Sequence, residues 1–207
     1  MTLSAHATGI VLATAAFAFA PSARGESLST DESKRLARGE TVVRESTWER
    51  GERRYVGGLT YTVLDASSAE IAAILEDVGS YRSVLPRTKR ARLVNRRGPD
   101  TFVELLSGND IMEEEYTIVV RRYEGESEFR FWLDPGRPHG IDDAWGFFRL
   151  APFEGARGEP RVLLTYAILV DVGPGIVRGL FEERLRATIL SVPQLLTRAV
   201  AEKKSGR

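Results

Sequence analysis

The residues of this 207-residue chain best suited to chemistry fall in two short runs, Glu113-Glu-Glu115 beside Tyr116 and Asp142-Asp143 between His139 and Arg149. On a strand alternate side chains share a face, so Glu114 goes with Tyr116, and Glu113 with Glu115. A carboxylate at position 114 buried in an apolar interior would have a raised pKa and could act as an acid or anchor a polar ligand group. Acidic runs of this kind are more often solvated. Asp142-Asp143 sits among glycines and prolines, the composition of a surface loop rather than of a catalytic dyad. General acid–base work needs a group within hydrogen-bond reach of the substrate. Glu114, Arg149 and Tyr166 are the candidates, nothing in the sequence joins them, and no catalytic residue is assigned.

Other chemistry is excluded by what the chain lacks. It has no cysteine and only two histidines, His6 and His139, so no thiolate nucleophile, disulfide framework or histidine-rich metal site is expected. There is no G-x-S-x-G elbow, Gly-rich phosphate loop or H-E-x-x-H helix, and no metal or cofactor is expected. Lys+Arg and Asp+Glu balance at 29 each, which argues against nucleic acid as a partner. Hydrophobic residues at 43% and charged residues at 28% are globular values.

The chain divides into residues 1–25, 26–53 and 54–207. Gly9 to Ala20 is an apolar run too short to cross a bilayer comfortably. Ala23-Arg24-Gly25 supplies small residues where a signal peptidase reads, so the first segment is expected to be a signal peptide and Glu26 the mature start. The expected location is periplasmic or secreted. Residues 26–53 read as an N-terminal extension, with a helix capped by Thr30 and Asp31 and stopped by Gly39, then a strand from Glu40 to Trp48.

These residues depend on elements that the sequence also marks. Tyr55–Leu64 reads as a strand, with Gly57-Gly58 as a bulge or close approach. Ser67-Ser-Ala-Glu70 is a capping box that opens a helix, and Gly79-Ser80 separates it from a shorter one ended by Pro86. Six strands follow, over Thr88–Asn95, Thr101–Ser107, Ile111–Arg122, Glu128–Leu133, Asp143–Leu150 and Arg161–Asp171. Gly173-Pro174 opens a long helix to about Lys203, bearing Leu180, Phe181, Leu185, Ile189, Val192 and Leu196 on one stripe and bent at Pro193.

The order strand, two short helices, six strands, long helix resembles the SRPBCC superfamily of START-like lipid-binding domains, coenzyme Q-binding START proteins and polyketide cyclases. The matching residues are Asp65-Ala66, Glu70-Ile71, Asp77-Val78, Tyr81, Leu85-Pro86 and Arg87-Thr-Lys-Arg90. A second group is Phe148-Arg-Leu-Ala-Pro152, Leu164-Thr-Tyr166, Asp171 and the Gly-Pro opening of the last helix. Together they cover residues 54–204. The resemblance implies an α+β helix-grip fold, a curved antiparallel sheet of about seven strands around a long C-terminal helix. It departs from the family at Ser67, often Pro, and at Val84, often Trp.

By that resemblance the protein would bind or transport a lipid or other hydrophobic small molecule in an internal cavity. The loops Gly79–Pro86 and Asp134–Gly140 would form its mouth. Its lining would draw on Val84, Leu85, Glu114, Tyr116, Phe129, Phe131, Phe148, Leu164, Tyr166, Ile168, Leu180 and Phe181. Gly146, on the face of Phe148, would leave space there. A polyketide cyclase or dehydratase is the alternative of a different class. A third is an interaction module, because Leu163, Ala167 and Leu169 should join Trp145 and Phe147 in an apolar outer face. The extension, a second copy of the chain or a membrane surface would cover that face.

Overall fold

The computed structural model describes residues 27–108, 113–123, 127–154, 161–171, 173 and 178–206, without the side chains of 178–181. Period-two alternation and turn residues produce β1 (Val42–Arg50), β2 (Arg53–Leu64), β3 (Thr88–Arg97), β4 (Asp100–Gly108), β5 (Glu113–Tyr123), β6 (Glu128–Leu133), β7 (Asp143–Pro152) and β8 (Val162–Asp171). They form one antiparallel sheet in the order β1-β2-β8-β7-β6-β5-β4-β3. The eighth strand is β1, which pairs with β2 from Val42 opposite Tyr61 to Arg50 opposite Arg53. The N-terminal addition therefore continues the sheet.

From β2 the chain crosses to the far edge through α2 (Ser68–Glu76), a 3-10 turn at Val78–Ser80 and α3 (Tyr81–Val84). Ser67 and Glu70 make the expected capping box at the start of α2. The Tyr81 hydroxyl donates to the Leu75 carbonyl at 2.8 Å, tying α3 back to α2. Together with the C-terminal helices, these segments cover one face of the sheet, the inner face, where the main core lies. Leu64, Val103, Leu105, Phe129, Leu150 and Leu164 contribute to it from the strands, Ile71 and Val84 from the crossover, and Leu196 from the last helix.

The C-terminal helix is divided rather than bent. α4 (Arg178–Leu190) and α5 (Val192–Lys204) meet at Ser191, and Pro193 stands in the first turn of α5, where a missing N–H leaves no helical bond unmade. The N–H groups of Gln194 and Leu195 both donate to the Ser191 carbonyl, at 3.1 and 3.3 Å. The Leu190 carbonyl accepts instead from the buried Thr60 hydroxyl of β2, at 3.1 Å. A buried acceptor left open would be costly, so Thr60 fixes where the break can sit.

A short helix, α1 (Thr30–Ala37), packs on the other face. Its cap is Ser29, which forms a capping box with Glu32, rather than Thr30 or Asp31. Leu36 and Val42 pack with Tyr61 and Val63, against Leu28, Leu59, Phe153 and Leu163. The extension thus covers the outer face at Leu163. Around Trp145 the cover is different: Trp48 of β1 meets it edge-on at 6.4 Å, and the Arg149 guanidinium lies over Phe147 at 5.1 Å. Gly57 and Gly58 break neither register. Each stands where a Cβ would overlap a neighbouring carbonyl, of Ile168 or of Arg44, so close approach rather than a bulge explains the pair.

Candidate functional site

The centre of the inner face is aromatic. Phe131, Phe148 and Tyr166 occupy β6, β7 and β8, with ring centroids 5.5 Å apart for the phenylalanines and 4.8 and 6.2 Å from Tyr166 to Phe148 and Phe131. Offset packing of this kind adds to the gain from burial alone. Gly146 pairs with Phe131 across β6 and β7. It leaves no empty space, contrary to expectation: the Phe131 ring and the Ala167 carbonyl stand where a Cβ would be. Phe129, Leu164 and Val84 join the same buried cluster, and Leu85 packs half-buried against it.

The loops named as the mouth both adjoin one end of the sheet, where Thr88, Ser107, Glu114, Leu133 and Ala144 lie. Tyr116 and Ile168 are half-buried there. Both touch the main core and a second cluster of Leu133, Ala144 and Val170, packed with Ile141 and with Ile189 of α4. The Tyr116 hydroxyl lies 3.2 Å from the Ser107 hydroxyl, which lies 3.3 Å from that of Thr88. Three hydroxyls thus cross β5, β4 and β3 at the edge of the apolar inner face. Glu114, half-buried, pairs in register with Ser107, and its carboxylate lies against Gly140 of the β6–β7 loop. The side chains of Leu180 and Phe181 lie outside the described residues.

The candidate acid–base groups do not converge. Burial raises the pKa of Tyr166 well above the ordinary phenol range, so it stays protonated. Burial also raises that of Tyr116, only partly opposed by the bond to Ser107. Arg149 belongs to the outer face, where it donates to Glu128 at 2.8 Å. Glu128 is 3% exposed; burial alone would raise its pKa, but hydrogen bonds from Arg130 and Arg149 outweigh that and hold it below the usual carboxylate range. Asp143 accepts from the Tyr55 hydroxyl at 2.8 Å, and His139 is exposed with Nδ1 2.7 Å from the Ile141 carbonyl.

Among the described residues, no three acidic or histidine side chains are grouped to hold a metal ion, and no helix is long and apolar enough to cross a membrane. A depression of about 120 Å³ between α2 and α5, lined by Glu70, Ile74, Val200, Lys203 and Lys204, is smaller than the few hundred cubic ångströms a lipid-sized ligand needs.

Thr88, Ser107 and Gly140 were not anticipated as site residues. Counting back from the Gly98-Pro99 turn would set Thr88 opposite residue 109, but two register shifts in β3 bring it opposite Ser107. Nothing in the spacing marks those shifts.

No protein-family model matches the sequence, and no curated protein does. Solved structures do match. A STAR-related lipid transfer protein from Xanthomonas axonopodis superposes with a TM-score of 0.63 at 16% identity, over 78% of this chain and 93% of the other. The Zhui aromatase/cyclase from Streptomyces sp. R1128 gives 0.57 at 11% identity, over 78% and 96%. A START superfamily protein from Mycobacterium smegmatis gives 0.57 at 17% identity, over 70% and 96%. Identities this low carry the fold alone, and the fold is α+β, helix-grip and START-like.

Proposed function

We propose that the protein binds a lipid or another apolar small molecule on the inner face, at the end marked by Tyr116, and that it does so after export. The observation that carries this reading is the hydroxyl chain Tyr116–Ser107–Thr88 at the edge of the apolar inner face. A binding site for an apolar ligand needs mostly hydrophobic lining with a few polar groups to fix orientation. Phe131, Phe148 and Tyr166 fill the centre of the face, so the ligand rests against them from the Tyr116 end. A neighbour with the same fold is named as a lipid transfer protein, which supports the choice of ligand class. The apolar run Gly9–Ala20 and the small residues before Glu26 support export. A cyclase would need an acid or base facing its substrate, and Tyr166 is sealed among aromatic rings with no carboxylate bonded to it among the described residues.

The test is to purify the protein from its own host, analyse it by native mass spectrometry and extract it with organic solvent. A bound apolar molecule is expected, on a chain beginning at Glu26. Empty protein that also ignores a panel of lipids overturns the binding reading. A chain retaining residues 1–25 in the cytoplasm overturns the export reading.

A further inference from the structure

Three consecutive glutamates open β5, and their fates differ. Glu113 is paired with Lys89 at 2.9 Å and Glu115 with Arg90 at 2.6 Å. Glu114 points the other way, onto the inner face, and has no hydrogen bond or ion pair among the described residues. Inner-face cations elsewhere on the sheet are engaged with other carboxylates: Arg122, at the far end of β5, with Glu76 at 2.6 Å, and Arg54 of β2 with Glu182 at 3.1 Å. Glu114 is a half-buried residue, and the backbone of Gly140 packs against its carboxylate where any side chain would collide. It stands in register with Ser107 and two residues from Tyr116, at the head of the hydroxyl chain.

Leaving a carboxylate partly desolvated without a counter-charge is unfavourable, and proteins seldom do so without a use for it. A cationic donor arriving with a ligand would satisfy it; a second carboxylate would be repelled. We propose that Glu114 makes the site selective for apolar molecules whose polar end is a protonated amine. The inference rests on the binding reading above. The ammonium donates to the Glu114 carboxylate, the Tyr116 and Ser107 hydroxyls lie beside it, and the apolar tail runs toward Phe131 and Phe148.

The test uses the full-length mature protein at neutral pH and a neutral apolar dye, displaced in turn by dodecylamine, dodecanol and dodecanoate. The amine is expected to bind about tenfold more tightly than the alcohol, and the carboxylate more weakly than either. Glu114→Gln should bring the amine level with the alcohol and leave the alcohol unchanged. Glu114→Lys should invert the order, placing dodecanoate first. If the dye and the alcohol bind but the amine gains nothing, or keeps its advantage in Glu114→Gln, the head-group inference is wrong while the binding reading stands. If neither the dye nor any of the three binds, both fall.

Discussion

Single residues show how little free space the inner face has. Phe129, Phe131 and Leu133 announce themselves by alternation, and each is buried as that pattern requires. Gly146 carries no such signal, because its role depends on a ring one strand away. Its missing side chain lets Phe131 lie flat against β7 and the Ala167 carbonyl. Gly146→Ala should therefore destabilise the protein by about 1–3 kcal/mol, since a rigid backbone oxygen and a packed ring must both yield. Urea denaturation would measure it; an unchanged midpoint would mean that Phe131 has somewhere else to go. Glu128 gives a parallel lesson on the outer face. Its burial between Arg130 and Arg149 follows from register, with Arg149 directly opposite, which composition cannot show.

Elements were more legible than their junctions. The strand boundaries fell close to the turn residues, and the Ser67–Glu70 box opened its helix as written. The same signature at Ser29–Glu32 marks α1, and Glu32 then also holds that helix to β1. Arg44 donates to both its oxygens, at 2.8 and 2.6 Å, while stacking over Tyr61. Hydrogen bonds from Arg44 and from the Ser29 N–H hold the Glu32 carboxyl down to about 2. A depressed folded-state pKa stabilises above the unfolded value, about 4, and that contribution is lost as pH falls toward 2. Apolar dye binding at Tyr61, Val63 and Leu163 should therefore rise over that interval in the native protein. In Glu32→Gln it should be raised already at neutral pH and change less. Identical pH profiles would show that packing alone seats α1. At the other junction, Thr60→Val keeps the shape but strands the Leu190 carbonyl, and should cost about 1–3 kcal/mol in thermal or chemical unfolding. A neutral result would mean that water replaces the hydroxyl.

At the scale of the molecule, the two faces of one sheet do different work. The outer face is covered by α1 at Leu163, by Trp48 at Trp145 and by the Arg149 guanidinium at Phe147. The inner face is filled at its centre and carries three linked hydroxyls at one end. A ligand that binds only the folded state stabilises it by mass action, by about 2.7 kcal/mol at a hundred times its dissociation constant. The melting temperature should accordingly climb with the concentration of a bound apolar amine, and less in Tyr116→Phe, which removes the first hydroxyl of the chain. A melting temperature indifferent to every apolar additive would count against a binding role.

By itself the sequence determined the kind of elements, their order, and which side of each strand is apolar. These follow from local periodicity, capping and turn chemistry, which involve residues near one another in the chain. Only the tertiary structure decided that Ser107 meets Thr88 and Tyr116, that Glu114 is left unpaired beside them, and that Phe131 closes over Gly146. Those facts depend on register across strands and on two shifts in β3. A displacement of one residue there reverses which face a side chain occupies, and no local pattern records it.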